Sequence, residues 1–162
     1  MIGRNDFTTP QWQEMQTAII GTIQYMTLVS PHFYGDIKDR LVAKKTLEDY
    51  IQDKGSNFLK ELAEFDDYKS PIPDYADDSA EGQETIVLHS ITNSVASIKK
   101  LDPNSAMLFK NLILKLAHDT ATARIQISPA ENIAFQKIAQ ALETEPTPEV
   151  KEWSPDDPLA KS

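Results

Sequence analysis

The chain has 162 residues, no cysteine and a formal net charge of −9. This length suffices for one domain that buries a core without cross-links, and the missing thiols exclude disulfides, zinc–thiolate sites, iron–sulfur clusters and thiol nucleophiles. The acidity is concentrated in residues 64–84 (net −7) and 143–162 (net −4), and no basic stripe is interleaved with aromatic residues, so the sequence disfavours nucleic-acid binding.

The first predicted helix begins at Thr8-Thr9-Pro10, where a hydroxyl can cap the helix and proline fits the first turn. It ends at Ser30-Pro31, because the residue before a proline is pushed out of the helical region. Its apolar residues recur every three or four positions and therefore share one face: Trp12, Met15, Ile19, Ile23, Met26 and Val29.

Two further helices are predicted before the middle of the chain. One runs from Asp36 to about Asp53 and is closed by Gly55 as a left-handed cap. A short one follows, capped by Ser56. The apolar residues assigned to their inner faces are Ile37, Leu41, Leu47, Tyr50 and Ile51, then Phe58, Leu59, Leu62 and Phe65.

Residues 64–84 are predicted to be an acidic connector loop, since prolines, aspartates and serines occur there without a period. A loop of this length in a compact domain is usually functional or disordered. The alternative is that its Ile72, Tyr68 and Tyr75 hold it across the surface of the bundle.

Three more helices are predicted in the second half. The fourth runs from about Ala80 to Leu101, and Asp102-Pro103 then caps the fifth, the most apolar segment and the candidate for the central helix. The sixth opens with Ser128-Pro129-Ala130-Glu131, a capping box. The predicted inner faces contain Leu88, Ile91, Val95 and Ile98; Phe109, Leu112, Ile113, Leu116 and Ala117; and Ala134, Phe135, Ile138, Ala141 and Leu142.

Together these elements predict an all-α fold, a single compact bundle of about six helices in residues 1–143. The acidic connector could divide it into two three-helix halves. Residues 144–162, rich in proline and acid, are predicted to be a disordered tail.

Residues 108–143, "LFKNLILKLAHDTATARIQISPAENIAFQKIAQALE", resemble the helix–corner–helix unit of the tellurite-resistance TerB-like domains. The match places Asp119 and Glu131 on that family's acidic residues. Thr120 stands where the family has glycine, and a longer stretch precedes Ser128. The resemblance implies a helical fold and, less directly, an acidic metal site.

His118, Asp119 and Glu131 can be interpreted in two ways. If they converge at the helix corner, their oxygens suit calcium or magnesium, and the protein would bind or sense a divalent metal. The alternative makes Glu131 a member of the capping box, Asp119 a solvated carboxylate and His118 a neighbour of the buried face. We favour the second interpretation and expect no cofactor.

Two other clusters are candidates for binding a partner. His32, Phe33 and Tyr34 follow the first helix in a loop, although the two aromatic residues could instead close the end of the bundle. In the tail, Trp153 and Pro155 place a large apolar side chain among acids, where it could dock on a protein or fold back onto its own bundle.

No phosphate loop, nucleophile elbow or HExxH-type histidine spacing is present, so catalysis is not favoured. No apolar run approaches the roughly 20 residues of a membrane span, and the N-terminus lacks the pattern of a signal peptide. The sequence therefore predicts a cytoplasmic protein-interaction or self-associating module that binds neither nucleic acid nor membrane, with a metal-binding TerB-like domain as the alternative.

Overall fold

The computed structural model describes residues 2–29, 36–64, 80–121 and 128–143, with the side chains of 36–41, 80 and 81 left out. A short 3-10 turn at Arg4–Asp6 precedes six α-helices in these ranges. They are α1 (Thr9–Leu28), α2 (Asp36–Lys54), α3 (Asn57–Leu62), α4 (Ala80–Leu101), α5 (Pro103–Ala121) and α6 (Pro129–Glu143). The predicted all-α bundle is thereby confirmed, and none of these helices is long and apolar enough to cross a bilayer.

The predicted helix boundaries follow from local hydrogen bonds. Thr8 and Gln11 form a capping box at the start of α1. Gly55 has φ of 62°, a left-handed conformation that closes α2, and the Ser56 hydroxyl accepts from the Leu59 amide to start α3. Of the predicted acidic connector, residues 65–79 lie outside the described ranges, whereas Ala80–Glu84 belong to α4, whose predicted start at about Ala80 is confirmed.

Contacts between side chains fix the relative directions of the helices. Gly21 faces Val87, so α1 and α4 lie side by side, and Tyr25 lies near Glu84 about one turn further along α1, which makes the two helices antiparallel. His118 lies against Phe135 and Lys110 pairs with Glu143, so α5 and α6 are antiparallel as well.

The bundle therefore has two distinguishable ends. We call the end that contains the start of α1, the end of α4, the start of α5 and the end of α6 the near end, and the opposite one the far end. Tyr50 donates to the Leu108 carbonyl and Thr46 to Asp119, so α2 runs antiparallel to α5 and finishes at the near end.

The core lies between α1, α4 and α5, with α2 and α6 packed around them. The predicted inner residues of α5 are all buried, and α1 is as central as α5. On α4 the predicted Ile91, Val95 and Ile98 are buried, but Val87 is buried where Leu88 was predicted, and Leu88 is only half-buried. Because the principal neighbour of α1 is α4, the two halves of the chain interlock and do not form separate three-helix lobes.

Candidate functional site

All five predicted partner-binding residues lie outside the described ranges. His32, Phe33 and Tyr34 fall between α1 and α2, and Trp153 and Pro155 fall after α6. The helices that flank the first group meet at the far end. The role of these five residues in binding a partner stays a prediction.

Asp119 connects α5 to α2 near the far end. Its Oδ2 accepts a hydrogen bond of 2.8 Å from the Thr46 hydroxyl and lies 3.9 Å from Lys115 Nζ. Its Oδ1 lies 3.1 Å from His118 Nδ1, and the His118 side chain is 58% exposed. Asp119 is thus a partly buried hydrogen-bond acceptor and is less solvated than the second interpretation expected.

Glu131 forms the predicted capping box of α6. Its Oε1 accepts from the Ser128 amide at 3.2 Å, and its own amide donates to Ser128 Oγ at 3.1 Å. The residue is only 3% exposed. Within the described ranges, no three His, Asp or Glu side chains form a group that could hold a metal ion, so His118, Asp119 and Glu131 are not assembled into one.

A second polar group, which the sequence did not indicate, brings α1, α4 and α6 together. The buried Tyr25 lies close to the Glu84 carboxylate, whose Oε1 lies 2.7 Å from Lys137 Nζ. Burial, and then the charge of Glu84 and its interaction with the hydroxyl, raise the pKa of Tyr25 to about 12. The Glu84 carboxylate thus lies between an uncharged phenol and the ammonium group of Lys137.

Two large apolar side chains are exposed at the near end, one on each side of the joint between α4 and α5. Leu101, the last residue of α4, is 50% exposed, and Met107 in α5 is 62% exposed. Lys99 and Lys100 precede them and are exposed too. We call these four residues the α4–α5 corner. It combines apolar surface with two positive charges on a chain whose net charge is −9.

The α4–α5 corner is held in place by the cap of α5. Asp102 alone separates the two helices; its carboxylate accepts from the Asn104 amide at 3.1 Å and from the Ser105 hydroxyl at 2.8 Å. The bond from Ser105 is the main reason that the pKa of Asp102 lies below its ordinary value. A joint of one capped residue limits the relative movement of the end of α4 and the start of α5, the helices that carry Leu101 and Met107.

The sequence reasoning missed this corner because it looked for apolar residues on the periodic inner faces. Leu101 and Met107 fall outside the predicted inner faces of α4 and α5. Met107 lies off the periodic stripe of α5 and was an available signal, whereas Leu101 continues the spacing of α4 and is exposed because the helix ends there. Single exposed apolar residues are common, however, and two such residues at one end of the bundle become visible only when the joint is placed.

No family model, curated protein or solved structure matches the chain. The TerB-like resemblance of residues 108–143 therefore stays a prediction. What can be said of function depends on the geometry of the described residues.

Proposed function

We propose that the chain is a non-catalytic module that binds an acidic protein segment through the α4–α5 corner. The observation that carries the proposal is the exposure of Leu101 and Met107, 50% and 62%, beside Lys99 and Lys100. Apolar anchors rimmed by charge are the usual composition of a protein-binding patch. The lysines favour a ligand that carries carboxylates around a large apolar side chain.

The polar side chains of the described bundle that could take part in catalysis hold helices in place instead. Their structural roles favour a binding protein over an enzyme. Glu131 and Ser128 cap a helix, Asp119 joins α5 to α2, and Tyr25 is an uncharged phenol beside Glu84. Trp153 and Pro155, which can dock in cis or in trans, and His32, Phe33 and Tyr34 are further candidates for contacts with protein.

The test is a pull-down with the full chain and two matched pairs of substitutions. Leu101→Ser/Met107→Ser removes the apolar part of the corner, whereas Leu28→Ser/Ile133→Ser removes side chains of similar exposure, 46% and 57%, at the far end. We expect bound proteins to be lost from the first variant and retained by the control. Equal retention by both would refute the proposal.

Sedimentation velocity of the same proteins distinguishes a foreign partner from a second copy. A dimer that the corner variant abolishes and the far-end control keeps would identify the ligand as another copy of this chain. All four positions are solvent-exposed, so the substitutions leave the core intact, and thermal melting checks this.

A further inference from the structure

We infer that the tail, residues 144–162, docks on the α4–α5 corner of its own chain and covers it until a partner displaces it. The inference deepens the proposed function, because it concerns the same surface, and it names the occupant of that surface in the isolated protein.

The tail begins close to the α4–α5 corner. α6 ends at Glu143, whose carboxylate lies 3.5 Å from the ammonium group of Lys110. Lys110 is three residues after Met107 on α5, about one helical turn away. The tail therefore starts beside the corner, on the near end of the bundle.

The tail is long enough for Trp153 to contact the α4–α5 corner. Trp153 follows Glu143 by ten residues, which span up to about 33 Å when extended. One turn of helix is only about 5.4 Å long, so the indole can reach Leu101 and Met107 with chain to spare. A tether of this length gives an effective concentration on the order of millimolar, well above that of a free ligand at micromolar concentration.

The charge and the apolar side chain of the tail complement those of the α4–α5 corner. Residues 144–162 contain five acids and two lysines, and the acids surround Trp153 in "EVKEWSPDDPL". This is the ligand that the corner favours: a large apolar side chain for Leu101 and Met107, and carboxylates for Lys99 and Lys100.

The other acidic segment, residues 65–79, suits the corner less well. It is attached at both ends, to α3 on one side and to the start of α4 at the far end on the other. The far end, where this attachment to α4 lies, is opposite the corner. The tail is attached at one end only and carries the indole.

The consequence is regulation by competition. A partner can bind this surface only in the molecules whose tail is undocked. Its apparent affinity equals its intrinsic affinity multiplied by the fraction of such molecules. Any modification that adds negative charge to the tail strengthens the cover, and high salt weakens it.

The experiment uses the full chain with Ser154→Cys, whose thiol is the only one in the protein because the natural sequence has no cysteine. A nitroxide spin label on this thiol broadens nearby methyl signals. The reporters are the methionine methyls in a spectrum of ¹³C-methyl-methionine protein. Met107 is exposed at the corner, and Met26 is buried in α1 towards the far end.

We expect the Met107 signal to be lost with the oxidised label and restored when the label is reduced, while Met26 is unaffected. Lys99→Glu/Lys100→Glu should bring the Met107 signal back. The matched control Lys44→Glu/Lys45→Glu, a pair of exposed lysines on α2, should not. Equal effects on both methyls, or none on either, would overturn the inference.

Dilution separates docking within one chain from docking between two. Broadening that disappears on dilution would mean that the tail binds a second copy, which also overturns the inference. The two proposals can fail separately: corner-dependent capture of a partner with no broadening of Met107 removes the tail inference and leaves the proposed function standing. Broadening of Met107 without corner-dependent capture removes the proposed function and leaves the docking of the tail standing.

Discussion

Gly21 lets α1 and α4 approach each other closely, and Gly21→Ala tests whether this contact organises the bundle. A Cβ on Gly21 would lie 2.5 Å from Val87 Cγ2, 3.5 Å from its Cβ and 3.6 Å from its Cγ1. Favourable carbon–carbon contacts lie at about 3.5–4.0 Å, so only the Cγ2 contact is too short, by about 1 Å. The side chain of valine cannot rotate away, because a β-branched residue in a helix has one strongly preferred rotamer.

Two effects of opposite sign decide the magnitude. Overpacking of this kind costs about 1–3 kcal/mol, and the absence of a compliant side chain places Gly21→Ala in the upper part of that range. Alanine is favoured over glycine in a helix by about 1 kcal/mol. The free energy of unfolding should therefore fall by about 1–2 kcal/mol, which for a domain of this size lowers Tm by roughly 2–8 °C.

Urea unfolding followed by circular dichroism measures the effect. Val87→Ala in the Gly21→Ala background should recover part of the loss, which appears as a favourable coupling in the double-mutant cycle. Gly55→Ala is the control for a different cause: nothing lies near its Cβ, and any loss there comes from φ of 62° alone. The same substitution at a helical glycine on an open surface would stabilise the protein. If Gly21→Ala does so, α1 and α4 do not approach each other as closely as described.

Three further outcomes test the polar groups. Ser128→Ala removes the hydroxyl half of the capping box and should lower the free energy of unfolding by about 1 kcal/mol in urea titrations. The pKa of Tyr25 is about 10 in the unfolded chain and is raised to about 12 in the folded protein. The contribution of Tyr25 to the free energy of unfolding is therefore fully present below about pH 10 and is lost as the pH rises through the pKa of the folded state. Unfolding experiments from pH 8 to pH 12 should show this decline, by up to roughly 2–3 kcal/mol, and Tyr25→Phe should flatten it; an unchanged slope would contradict the burial of the phenol. Calcium or magnesium added to chelator-treated protein should leave Tm unchanged, because Glu131 is already committed to its cap; a rise in Tm would favour the metal-binding alternative.

Much of the fold could be predicted because its signals are local. Thr8, Gly55, Ser56 and Ser128 act within three or four residues of themselves, so the start or end of a helix can be identified before any packing is known. Apolar spacing likewise identified the inner face of α5. On α4 it selected Leu88 over Val87, because which residue is buried depends on where α1 lies, and Gly21 sets that position from 66 residues away.

The candidate site was harder to predict, for the same reason. Glu131 was correctly placed in a capping box, since its partner is three residues away. The bond from Thr46 to Asp119 and the group of Tyr25, Glu84 and Lys137 bring together residues that are far apart in sequence, and no local pattern indicates them. The α4–α5 corner could be recognised only after the joint at Asp102 was placed, because the exposure of Leu101 and Met107 at the same end of the bundle depends on how α4 and α5 pack.

The pairing of α1 with α4 also has a consequence for biosynthesis. A ribosome that adds about 5–20 residues per second takes roughly 4–15 s to proceed from the end of α1 to the end of α4, some 70 residues later. During that interval the apolar stripe of the first helix has no lasting cover from its principal neighbour. Nascent chains that stall before α4 is made should therefore recruit chaperones or aggregate, and the order of translation becomes a constraint on how reliably this bundle is produced.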